Sequence, residues 1–343
     1  MIRIQNIYYM LAYAFQILKG QGYASLATEK FENTADLLSA ILVKGISIQI
    51  KRGLSREYVE ETEILSGLRG KIDVTESIKK QTIIRQQLVC EYDEFSVNSY
   101  KNQIIKTTVE LLMRHDIPLS RKKELRNLML YFKDVKTLDP HSINWNIQYN
   151  RNNQTYRLLI SICYLVIKGL LQTTSSGQLK LMNFLDEQRM CRLYEKFVLE
   201  YFKKEYPQIK TAASQIDWAL DDGFDALLPT MQSDIMLAYE GKTLIIDAKY
   251  YTHTMQVQYD VHTLHSNNLY QIFTYVKNKA AQGGDVSGML LYAKTDEVIQ
   301  PNQQFKMSGN TIYVRTLDLD CDFNQIASQL NSIAEMFIGQ NLN

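Results

Sequence analysis

The chain has 343 residues, 45% hydrophobic and 22% charged, which is enough for two domains with real cores and excludes a disordered polymer. Its 38 basic and 37 acidic residues leave a net charge of +1, which excludes a global field for holding nucleic acid, so any DNA affinity has to come from local patches. Cys90, Cys163, Cys191 and Cys321 have no paired spacing, no apolar run reaches membrane-spanning length and no export signal opens the chain; a disulfide framework, a zinc cluster and a membrane protein are excluded, and the reducing cytoplasm is the expected compartment.

Ile7, Met10, Leu11, Ala14 and Phe15 recur at helical spacing and predict an opening helix with one apolar face. Leu37 to Ile50 repeats the pattern until Arg52-Gly53-Leu54 stops it, and Tyr58 to Leu65 and Lys71 to Val74 read as strands around the Gly67 and Gly70 turns. Asn98 to Arg114 predicts a helix closed by His115-Asp116-Ile117-Pro118. Ser120 to Lys133 follows as a basic helix whose Arg121, Lys122, Lys123 and Arg126 read as a solvated face. Tyr156 to Leu171 is an apolar helix, and the polar run Gln172-Thr173-Thr174-Ser175-Ser176-Gly177-Gln178 marks the connection between halves.

Beyond that connection, Asp186 to Tyr206 predicts a helix, and strands are expected around Ile216 to Leu220, Ile235 to Tyr239 and Thr243 to Lys249. A helix over Leu269 to Ala281, strands over Val286 to Tyr292 and Thr311 to Thr316, and a closing helix over Asn324 to Phe337 complete the order. That order suits a mixed α/β (α+β) fold with a small mixed sheet flanked by helices. The expected domains are residues 1–170, a connection over 171–185, and 186–343.

The chemistry concentrates in residues 232–275. Two short apolar runs flank Glu240-Gly241-Lys242, a hairpin signal, with Asp234 opening the first strand and Asp247 closing the second. Antiparallel pairing through that turn brings both carboxylates to one end of the sheet, where a divalent cation can bridge them. Lys249 lies two residues beyond Asp247 and projects from the same face of an extended strand. Two carboxylates, a backbone carbonyl such as that of Ala248, and phosphate oxygens suit the hard oxygen shell of Mg2+, which can activate water against a phosphodiester. Alone, Asp-x-Lys reads first as a solvated strand end with a surface ion pair; Asp234 at hairpin spacing, the apolar Leu244-Ile245-Ile246 and the following helix shift the weight to a site.

These residues resemble the PD-(D/E)xK nuclease superfamily, with Asp234 as the first acid and Asp247-Ala248-Lys249 as second acid, spacer and lysine; Ser233 stands where the motif has proline. Gln271 and Tyr275 resemble the Gln-x-x-x-Tyr element of RecB-like members, and i and i+4 share a helix face. The resemblance implies that they support the site or contact DNA; by their own pattern they read also as a polar face packed on the sheet. Leu193-Tyr194-Glu195-Lys196-Phe197-Val198 looks like the first core helix of that fold, which implies a metal-facing role for Glu195, whose charged helix reads equally as solvated.

Ile4-Gln5-Asn6-Ile7-Tyr8-Tyr9-Met10-Leu11-Ala12-Tyr13-Ala14, Gly67-Leu68-Arg69-Gly70-Lys71-Ile72-Asp73, and Cys90 to Asn98 leading into Asn102-Gln103-Ile104-Ile105-Lys106 resemble the McrC family, nuclease subunits of McrBC-type restriction systems. The resemblance spans residue 4 to at least 294. It implies a Mg2+-dependent endonuclease, Mn2+ being an alternative metal, with Asp234, Asp247 and Lys249 catalytic. It also implies an amino-terminal domain that docks on a hexameric AAA+ GTPase of McrB type and stimulates it, and methylated DNA as substrate. No Walker-type loop appears, so no nucleotide is expected on this chain alone. The alternatives are a non-catalytic GTPase activator that keeps the fold, and a solitary RecB-like exonuclease. Tyr259-Asp260-Val261-His262-Thr263-Leu264-His265 has i, i+3 histidines on a possible helix but no third ligand nearby, and is assigned no role.

Overall fold

A computed structural model describes residues 2–15, 23–149, 154–175, 187–221, 227–251, 255–258 and 261–339. The chain forms two compact units, Met1–Phe31 with Leu185–Asn343, and Glu32–Phe184. The architecture is mixed α/β, as the element order leads one to expect.

The unit of residues 32–184 holds α2 (Thr34–Arg52), β1 (Glu57–Leu65), β2 (Lys71–Ile72), α3 (Val74–Lys79), β3 (Leu88–Ser96), α4 (Tyr100–Met113), α5 (Leu119–Met129) and α6 (Gln154–Ser175). Asn33 caps α2 by accepting from the Asp36 N–H, and Gly53 ends it at φ 89, a conformation that glycine takes without strain. β3 pairs antiparallel with β1 on one side and β2 on the other. Asn102 on α4 is fully buried and satisfied: its Nδ2 donates to the Ser55 and Val97 carbonyls, and its Oδ1 accepts from the Tyr156 hydroxyl of α6.

The other unit carries α1 (Ile4–Phe15), α7 (Glu187–Glu205), β4 (Lys210–Ala212), β5 (Gln215–Ile216), β6 (Met231–Gln232), β7 (Ile235–Tyr239), β8 (Lys242–Lys249), β9 (Met255–Gln258), β10 (Val261–Leu264), α8 (Ser266–Ala281), β11 (Asp285–Ala293), β12 (Gln303–Met307), β13 (Asn310–Leu317) and α9 (Phe323–Ile338). Its main sheet has the order β12-β13-β11-β8-β7-β4, with β11 parallel to both β8 and β13 and the remaining neighbours antiparallel. β8 is therefore central, and its apolar run Leu244-Ile245-Ile246 is buried on both faces, the pattern of a covered strand. α8 connects β8 to β11 and packs Ile272, Tyr275 and Val276 against Ile245, Leu290, Ile312 and Val314; α7 also lies on β7 and β8.

Several expected elements differ. The first helix belongs with residues 185–343 and not with the expected amino-terminal domain 1–170: Asn6 Nδ2 donates to the Leu319 and Cys321 carbonyls, Tyr9 stacks on Phe323 at 4.3 Å, and Tyr13 packs on Phe197 and Tyr201 of α7. The expected strand Lys71 to Val74 stops at Ile72, because Asp73 caps α3 through the Glu76 N–H. α6 runs through Ser175 into the expected connection, and residues 176–178 of that polar run lie outside the described residues. The expected strand Ile216 to Leu220 shrinks to β5. Thr263 and Leu264 stand in a hairpin strand and not on a helix, and Tyr259 and Asp260 lie outside the described residues. Among the described residues no helix is long and apolar enough to cross a membrane.

Gly288 on β11 sets how closely α8 approaches the sheet. A Cβ there would stand 2.7 Å from Val276 Cγ2, 2.8 Å from Ile272 Cγ1 and 3.1 Å from Ile312 Cδ1. Gly288→Ala is expected to lower stability by about 1–3 kcal/mol through overpacking, read as a reduced thermal unfolding midpoint; an unchanged midpoint would show that the seam has slack.

Candidate active site

The hairpin that presents the carboxylates is built locally. Glu240 at φ 47 and Gly241 at φ 78 form a type I′ turn, whose twist matches that of the flanking strands. It pairs Tyr239 with Lys242 and, further along, Ile235 with Ile246, which brings Asp234 and Asp247 to the same end of the two strands. Strand alternation then puts Asp247 and Lys249 on one face, and Lys249 Nζ lies 2.9 Å from Asp247 Oδ2.

Asp247 is 1% exposed, and neither of its carboxylate oxygens receives a well-aligned hydrogen bond; the nearby ammonium is the compensation for Oδ2. Asp234 is half-buried, and its Oδ2 accepts from the Ala248 N–H at 2.9 Å. Burial pushes Asp247 up to about 7, and the Asp234 charge adds to the rise against the pull of Lys249. Burial likewise raises Asp234, opposed by Lys249 and by the Ala248 N–H. The two carboxyls interact directly, so without a cation the pair retains a proton that water alone would remove. Burial works against the charged form of Lys249, yet Asp247 outweighs it and holds the ammonium above its ordinary value.

The helix α8 fixes that ammonium. Lys249 Nζ donates to Gln271 Oε1 at 3.2 Å, and Gln271 Nε2 donates to the Tyr275 hydroxyl at 2.9 Å, so the i, i+4 pair forms one chain ending on the lysine. From α7, Cys191 Sγ donates to Glu195 Oε1 at 3.0 Å and lies 4.0 Å from the Ala248 carbonyl. Burial and the neighbouring Glu195 push the thiol up to about 12, so it acts as a donor and not as a thiolate. Glu195 is itself raised, first by burial and further by the Asp234 charge, against the thiol hydrogen bond. Among the described residues no three His, Cys, Asp or Glu side chains stand together as a metal cage.

The structure thus brings Asp234, Asp247, Lys249, Gln271 and Tyr275 together, with Glu195 at the margin on α7. Sequence reasoning missed Cys191, although it sits one helical turn before Glu195. It also missed Asn268, three residues before Gln271, which accepts from the Tyr251 hydroxyl and donates to that of Tyr292. Tyr292 pairs with Lys249 across β8 and β11, a juxtaposition that only the parallel pairing creates.

In metal-free protein the raised Asp247 means that the native state holds its proton more tightly than the unfolded chain. The contribution of this group therefore turns unfavourable as pH rises between the unfolded value, about 3.9, and the folded one. The melting temperature of Asp247→Asn minus that of wild type, both in chelator, is expected to widen from about pH 5 to about pH 8; a constant difference would show that the carboxyl titrates normally.

Comparison with known proteins adds to this geometry. The family of McrBC 5-methylcytosine restriction system components matches residues 4–293. The chain is 29% identical over 346 residues to the type IV methyl-directed restriction enzyme EcoKMcrBC of Escherichia coli (strain K12), with 98% of each covered. In fold it is similar to a chain in the refined half-complex from the tetradecameric assembly of Thermococcus gammatolerans McrB AAA+ hexamers with bound McrC. That match has a TM-score of 0.51 at 17% identity and covers 96% of this chain and 76% of that one.

Proposed function

This chain belongs to the McrBC 5-methylcytosine restriction system component family, and from that premise we propose that it is the endonuclease subunit of a modification-dependent restriction system, of PD-(D/E)xK type. It hydrolyses phosphodiester bonds of methylated DNA at Asp234, Asp247 and Lys249 and stimulates a partner AAA+ GTPase. The observation that carries the reading is the Asp247 carboxylate, buried with neither oxygen in a well-aligned hydrogen bond and only the Lys249 ammonium as close compensation, beside Asp234. A charge left in that state costs stability unless a ligand completes it.

The donor set fits Mg2+, with Mn2+ accepted by the same oxygens. Asp234 and Asp247 would hold the ion, with the Ala248 carbonyl and Glu195 as further oxygen donors; two carboxylates with water and phosphate satisfy it without a cage of three side chains. When bound, the cation polarises the phosphate and acidifies nearby water. Lys249, kept charged by Asp247, offers its ammonium protons to the negative charge that builds on the phosphate. Gln271, braced by Tyr275, restricts where that ammonium points.

The partner reading draws support from the unit of residues 32–184. Tyr58, Leu68, Val74, Ile78, Ile84 and Phe95 are exposed large apolar side chains gathered around one small sheet and its helix, a composition suited to a protein interface. The near-zero net charge agrees with DNA recognition delegated to the partner.

Cleavage of methylated plasmid is measured with the candidate GTPase, GTP and Mg2+. Asp247→Ala and Lys249→Ala are each expected to lower cleavage by about 10²-fold or more while GTPase stimulation persists. Gln271→Ala is expected to lower it by about tenfold. Equal cutting by the Asp247 and Lys249 variants would remove the site assignment. Stimulation without cleavage by wild type would favour an activator, and nucleotide-independent end degradation by the chain alone would favour an exonuclease.

A further inference from the structure

Asp234 sits in a β-bulge. The last pair of β4 with β7 is Ala212 with Met236, and the first pair of β5 with β6 is Gln215 with Gln232. Between these pairs, Ala213 and Ser214 on one strand face Ser233, Asp234 and Ile235 on the other. The extra residue lies on the carboxylate strand, and such an insertion re-aims a side chain.

Ser233, 1% exposed, closes this bulge with its own hydroxyl. Its N–H donates to the Ser214 carbonyl at 3.0 Å, as a ladder residue would. The returning bond from the Ser214 N–H goes to Ser233 Oγ, at 3.2 Å, and the same hydroxyl donates to the Ser214 carbonyl at 2.9 Å. The Ser233 carbonyl is turned aside, 3.5 Å from Gln232 Nε2.

The opposite edge shows the complementary substitution. With the hairpin closing at Tyr239 and Lys242, antiparallel alternation makes Ser233 with Ala248 the next bonded pair after Ile235 with Ile246. Ser233 faces Ser214 instead, and Asp234 Oδ2 accepts from the Ala248 N–H in place of a main-chain carbonyl. Two neighbouring side chains therefore complete two interrupted ladders, one on each side of the strand.

We propose that Ser233 is the positioning residue for Asp234: its hydroxyl closes the bulge on the Ser214 backbone, and the resulting strand path holds one Asp234 oxygen on the Ala248 N–H with the carboxylate turned to the cation site. The proposal rests on the metal-dependent nuclease reading. It gives a role to the residue at which the motif departs from proline: a hydroxyl clamp defines the entry to the acidic position.

The test uses the full chain and three variants, Ser233→Ala, Ser233→Thr and Ser214→Ala. Amide exchange at Ser214 and Ala248 is read by mass spectrometry with electron-transfer fragmentation, Mn2+ binding by calorimetry, and cleavage with the partner as a function of Mg2+. Ser233→Ala is expected to speed exchange at both amides and to weaken Mn2+ binding by about tenfold or more, with the half-saturating Mg2+ for cleavage raised alike. Ser233→Thr, which keeps the hydroxyl, restores both, and Ser214→Ala, which keeps the backbone partners, matches wild type. Wild-type exchange and Mn2+ affinity in Ser233→Ala overturn the proposal, as does rapid exchange of both amides in wild type, which needs no variant to fold. Wild type that binds Mn2+ but never cleaves with its partner removes the nuclease reading and leaves the positioning role standing, whereas wild type that binds no Mn2+ overturns both.

Discussion

A carboxylate buried at the end of an apolar strand, with an ammonium as its close partner, is the constraint around which the carboxy-terminal sheet is arranged. Leu244, Ile245 and Ile246 each contribute about 1.5–3 kcal/mol by leaving water, so the strand that carries Asp247 into the interior is strongly stabilising. The same placement strips Asp247 of solvent, which raises its affinity for a proton and leaves its oxygens short of donors. The burial of the hydrocarbon offsets part of the cost of burying the carboxyl. The protein can therefore hold a group that is unfavourable by itself, and such groups are where an ion or substrate has most to gain by binding.

Every element that touches this carboxylate limits its freedom or that of its neighbours. The type I′ turn sets which residues face each other, the parallel β11 brings Tyr292 beside Lys249, and the Gly288 seam lets α8 come close enough for Gln271 to reach the ammonium. α7 adds Cys191 and Glu195 from another direction, and aromatic contacts of Tyr9 and Tyr13 with Phe323, Phe197 and Tyr201 knit α1, α7 and α9 together. The stiffness of the site thus comes from packing, and its polarity from a few side chains at the ends of packed elements.

Elements with one strong local period were legible from the chain. α1, α2, α4, α7, α8 and α9 match the expected helices to within a few residues, as do β7, β8, β11 and β13 among the strands. The unrecognised strands lack that signal. β3 interleaves Glu91, Asp93 and Glu94 with Cys90 and Tyr92, β12 reads Gln303-Gln304-Phe305-Lys306-Met307 at a sheet edge, and β4 has three residues; each is a strand because a neighbour pairs with it. The opening helix is legible as a helix but its place in the fold is not, because its partners Leu319, Cys321 and Phe323 lie more than 300 residues along the chain.

Local pattern is enough for the family resemblance, the hairpin that aligns Asp234 with Asp247, the shared face of Asp247 and Lys249, and the shared face of Gln271 and Tyr275, since turn chemistry and the periods of strand and helix act within a few residues. Long-range packing is what makes Gln271 reach Lys249, brings Cys191 and Glu195 to the same edge from α7, stands Tyr292 opposite the lysine, and has Ser233 interrupt a ladder to turn toward Ser214. These contacts join residues 19 to 57 positions apart, across a parallel crossover and a bulge. Pairing at such distances is set by which buried surfaces fit together, and a local pattern carries no record of it.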